Sequence, residues 1–226
     1  MDITLENHYW LIPSTGKDIG GASSQIKEMS RGYNLNADNS VWNIPILRKI
    51  DFTPNLNSFV LNYNSKLTDI IFDIGLLPSS GFLLTNKVKI ILEKFNLPKH
   101  TFYPATVIHR EKIYEYYWLQ ISEELSNLIS YEKSTFDLKK NIGWQEWIDI
   151  EKCLKFNNVE ELILKNKNKG SSFNNLIPEK LYMNKSYDLY SFNYFSNHLI
   201  INYEIKKALD YNGIKGFETI CLNPNF

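Results

Sequence analysis

A strand-helix-strand phrase occurs twice in this sequence, and it constrains the fold more than any other feature. The first copy runs from Leu83 to Leu97, the second from Ile200 to Ile214. With no gap, Val88 aligns with Ile205, Ile91 with Ala208, Leu92 with Leu209 and Asn96 with Gly213. Few identities are shared, but the physical roles coincide. Thr85 and Asn202 each follow a short apolar run and precede helical periodicity, where a side-chain oxygen accepts a backbone N–H as a helix N-cap. Residues 88, 91, 92 and 95, and residues 205, 208 and 209, form the stripe of a helix laid on a sheet. Asn96 and Gly213 stand where a helix closes on a left-handed residue, the conformation those two types tolerate best. Two similar units of an α+β protein, or a true internal duplication, would both produce this echo.

Composition narrows the class. A chain of 226 residues can bury a real core as one domain or as two lobes. A formal net charge of +0 supplies no field that would draw nucleic acid or an anionic membrane. Aromatic residues make up 14 %, which favours sheet and also suits interface anchors. Cys153 and Cys221 are far apart and match no metal or redox spacing. No secretory leader is expected at residues 1–11, and no run reaches the roughly 20 apolar residues of a membrane helix. A cytoplasmic, reduced location is the expectation.

Along the chain, short strands are expected at His8–Pro13, Val41–Ile50 and Phe59–Tyr63, with loop over Ser14–Asn39 containing a helical turn near Gln25–Met29. Lys66–Phe72 reads as a short helix or strand, and Pro78-Ser79-Ser80-Gly81 as a turn. Thr101–His109 and Ile113–Ile121 read as a β-hairpin whose second strand is bulky on both faces and therefore covered on both. Further segments follow at Tyr131–Leu138, Trp147–Phe156, a helix at Val159–Lys165, a polar linker at Asn166–Ser172, Leu189–Phe195, and a final strand at Phe217–Leu222.

No catalytic constellation emerges. His8, His100, His109 and His198 sit in no zinc spacing. Gly16-Lys17 is followed by Asp18, so it is not a phosphate loop, and Gly20-Gly21-Ala22-Ser23 reads as ordinary loop. Asp69 with Asp73, and Glu123 with Glu124, are acidic pairs whose simplest reading is a solvated face.

The segments Gly81–Leu92, Phe102-Tyr103-Pro104-Ala105, Tyr116-Tyr117-Trp118-Leu119, Ile129–Phe136 and Asn212–Phe217 together resemble immunity protein family eleven of bacterial polymorphic toxin systems. The likeness spans roughly residues 66 to 222, and the Tyr9-Trp10 strand is compatible with it. The family often has serine at the two helix starts, where this chain has Thr85 and Asn202. The resemblance implies no catalytic residues, no cofactor and no metal. It implies a cytosolic antitoxin, not an enzyme, that occludes a cognate toxin encoded nearby, without nucleic acid or membrane as partner. The other readings are a small enzyme using paired carboxylates, or an aromatic carbohydrate-binding or structural module. The expected fold is α+β: mostly antiparallel sheet with two related strand-helix-strand units, either one domain over residues 1–226 or lobes at 1–128 and 129–226. The Ser14–Asn39 and Asn166–Ser172 loops are the candidate contact regions.

Overall fold

The computed structural model describes residues 3–21, 24–45, 47–72, 81–143, 146–192, 194 and 199–222. In chain order its strands and helices begin β1 (Ile3–Thr4), β2 (His8–Pro13), β3 (Ile26–Met29), β4 (Phe59–Leu61), β5 (Ile70–Ile71), β6 (Gly81–Leu84) and α1 (Asn86–Leu92). The middle of the chain gives β7 (His100–His109), β8 (Lys112–Ile121), β9 (Thr135–Gly143), β10 (Glu146–Leu154) and α2 (Val159–Lys167). It ends with β11 (Asn174–Lys180), β12 (Tyr182–Met183), β13 (Leu189–Tyr190), β14 (Leu199–Asn202), α3 (Tyr203–Tyr211) and β15 (Phe217–Cys221). The fold is α+β with antiparallel pairing throughout except for the parallel β4–β7 neighbours.

The sequence echo is a structural one, and it extends well beyond the helices. The first unit pairs β5-β6-β8-β7 and the second pairs β13-β14-β2-β15, every pair antiparallel. Each helix links the second strand of its unit to the strand in fourth place. Leu83 faces Trp118 and Leu84 faces Tyr117; in the second unit Ile200 faces Trp10 and Ile201 faces Tyr9. The two middle strands therefore share the run Tyr-Trp-Leu, at 117–119 and at 9–11, in the same place and register. Lys89 lies over the Tyr117 ring at 5.3 Å and pairs with Glu93 at 2.7 Å. Its counterpart Lys206 lies over the Tyr9 ring at 5.6 Å and pairs with Asp210 at 2.6 Å. Chain order differs: the middle strand of the second unit comes from residues 8–13, ahead of the first unit.

Successive residues in a strand face opposite ways, and each unit uses both directions alike. Leu84 and Ile201 enter a core shared between the units, with Val88, Ile91, Leu92, Ile205 and Leu209 from the two helices. Leu83 turns with Trp118, Tyr116, Phe59 and Val107 into a second core. Ile200 turns with Tyr190, Phe192, Phe136 and Leu176 into a third. The bulky faces of β8 are thus both covered, Tyr116 and Trp118 on one side, Leu119 and Ile121 on the other. The β7–β8 turn is Arg110-Glu111, both at positive φ, the turn form that matches strand twist.

Several expectations are corrected. Val41–Ile50 is not a strand: Ser40 caps a single 3-10 turn at Val41–Asn43, its oxygen accepting from Trp42 N at 3.3 Å. Ile26–Met29 is strand where a helical turn was expected, because β4 offers it an edge. Thr85 does not cap α1 with its side chain; its hydroxyl donates to Asp69 Oδ1 at 3.1 Å instead. Asn96 is not left-handed. Phe95 N reaches back only to Leu92 O, and Asn96 then serves as a latch, its amide donating to Ser186 O at 2.9 Å. Asn202 does cap α3, accepting from Ile205 N at 2.9 Å. Gly213 takes φ 61° and closes α3 through Ile214 N to Leu209 O and Gly213 N to Asp210 O. The Pro78–Ser80 turn, Asp73 and His198 lie outside the described residues.

Candidate interaction surface

Thr85, Asn96 and Asn202 belong to a frame that two aspartates tie together. Asp69 just precedes β5: its carbonyl accepts from Thr85 N at 2.9 Å and its Oδ2 from Lys215 N, beyond α3, at 3.0 Å. Asp188 just precedes β13: its carbonyl accepts from Asn202 N at 2.9 Å, its Oδ1 from Asn202 Nδ2 at 2.6 Å, and its Oδ2 from Asn96 N, beyond α1, at 2.7 Å. Each unit's aspartate holds its own helix start and grips the chain leaving the other unit's helix. A carboxylate accepting backbone N–H groups makes strong, oriented bonds, so these residues fix the two units to one another. This is structural work.

Surface of a different kind forms where β10, β9 and β11 pair in that order. Phe136 and Leu176 turn inward to the third core, Leu138 is buried, and α2 adds Leu162 to that core. Asn158 caps α2 by accepting from Glu161 N at 3.0 Å, and the Glu161 carboxylate accepts from Asn157 N at 2.9 Å. Beyond that core the sheet keeps its apolar character but loses its cover. Ile142, Trp147, Ile148 and Ile150, with Leu164 of α2 and Phe173, are between 41 and 63 % exposed. Trp147 faces Asn141, and Asn141 N donates to Phe173 O at 2.9 Å, which sets the two exposed rings in one row across the sheet. Ion pairs interleave: Lys139 and Lys152 reach Asp149 at 3.3 and 2.7 Å, and Lys165 reaches Glu151 at 2.5 Å. Clustered exposed apolar side chains bounded by charge characterise protein-binding patches.

The expected contact loops fare differently. Lys167–Ser172 borders this surface and lines a shallow hollow of about 410 Å³, with Asn174 Nδ2 pinning Lys169 O at 2.6 Å. Within Ser14–Asn39, Ile26–Met29 pairs with β4 and the Gln25 amide donates to Lys66 O at 2.9 Å. On the face of the β9–β11 sheet that carries Lys139 and Trp147, Asp137, Cys153 and Glu179 bring one thiol and two carboxylates together, the donor atoms within 4.8 Å of one another. Those are the described residues that could hold a metal ion. Lys139 and the Cys153 N–H already satisfy Asp137, and the Thr135 hydroxyl satisfies Glu179.

Of the carboxylates weighed for acid–base chemistry, Asp69, Glu123 and Glu124 are engaged in hydrogen bonds of the fold. Burial works to raise the Glu123 pKa, but the Lys99 N–H, the Tyr187 hydroxyl and Lys185 outweigh it and hold the carboxyl below its ordinary value. Glu124 accepts from Ser126 N at 2.9 Å. An aromatic platform on β8 is likewise ruled out for Tyr116 and Trp118, which are buried. No protein-family model matches the chain, and no curated protein matches it.

Proposed function

We propose that this chain is an immunity protein, binding a cognate toxin and neutralising it by occlusion without chemistry of its own. The observation that supports the reading from the structure is the pair of exposed rings, Trp147 and Phe173, set in one row across a hydrogen-bonded sheet whose other face leaves Ile142 and Ile148 exposed. A preformed patch with aromatic anchors is what tight, slowly released binding demands. The sequence resemblance to immunity protein family eleven supplies the class of partner. The test is co-expression with the product of the adjacent gene, scoring growth and co-purification. Rescue with a one-to-one complex supports the proposal, and Trp147→Asp should then abolish rescue while the purified chain melts as before. A toxic neighbour that is neither bound nor silenced would overturn it.

A further inference from the structure

We draw no further inference here: the strongest candidate, the cluster of Asp137, Cys153 and Glu179 where β9, β10 and β11 pair, carries nothing because Lys139, the Cys153 N–H and the Thr135 hydroxyl already hold its carboxylates, and no second feature among the described residues points to a ligand there.

Discussion

Asp69 and Asp188 each tie one unit's helix start to the chain leaving the other unit's helix. Replacing either with alanine strands a backbone N–H from the opposite unit and a side-chain donor at its own helix start. Removing a charged acceptor from one part-buried and one exposed bond costs about 1–3 kcal/mol, and thermal melts of Asp69→Ala and Asp188→Ala should both show it. The two helix starts should differ. Asn202→Ala loses a cap and the Asp188 bond, about 2 kcal/mol, whereas Thr85→Ala loses only the Asp69 bond, about 1 kcal/mol. His8 stands one residue before the Tyr-Trp-Leu run, the position Tyr116 holds in the first unit. Burial lowers its pKa from 6.5 to about 4, against the opposing pull of Asp188. The unfolded chain then takes up the proton first, so stability is full above pH 6.5 and falls as pH drops towards 4. The loss by pH 4 is at most about 3 kcal/mol. Urea melts across that range should show the slope, and His8→Phe should flatten it.

At the scale of elements, the hairpin, the three helices and the terminal strand were legible because each is specified locally. Alternation, a capping residue and a closing glycine all lie within a few positions of one another. What was illegible depends on distant partners. Asn96 looked like a left-handed cap because its neighbours mirror Gly213, yet Asp188, Ser186 and their strand decide its conformation. The two should therefore respond oppositely to glycine chemistry. Gly213→Ala places a Cβ at φ 61° and costs about 1 kcal/mol. Asn96→Gly, helpful to a true left-handed cap, instead loses the Ser186 bond and destabilises by about 1–2 kcal/mol, as parallel denaturant titrations would show. The interaction surface was hidden for a related reason. Trp147, Ile148 and Ile150 put apolar side chains close together along β10, a pattern that reads as a covered central strand, and only the interleaved Glu146, Asp149, Glu151 and Lys152 hinted at an edge.

For the molecule as a whole, the matching strand orders, the paired Tyr-Trp-Leu runs and the paired lysine–tyrosine contacts make the sheets of the two units equivalent in all but connection. In the first, β7 turns directly into β8. In the second, β15 has β2 beside it, and Leu222 N donates to His8 O at 2.8 Å, where a hairpin turn would sit. The second unit is thus a permuted form of the first, and the order of its strands in the chain should matter less than their places in the sheet. A chain lacking residues 1–13 loses Leu11 from the shared core and leaves β14 and β15 without the strand between them. Large apolar deletions of that kind cost several kcal/mol on top of the lost ladder, and this chain should not fold. Moving residues 8–13 behind Leu222 through a short glycine-containing turn recreates the β7–β8 arrangement in the second unit. That permutant should recover a cooperative melt and the wild-type circular dichroism spectrum. A permutant as unfolded as the truncation would mean that β2 needs its connection through β1 and β12, and the equivalence of the two units would then end at their helices.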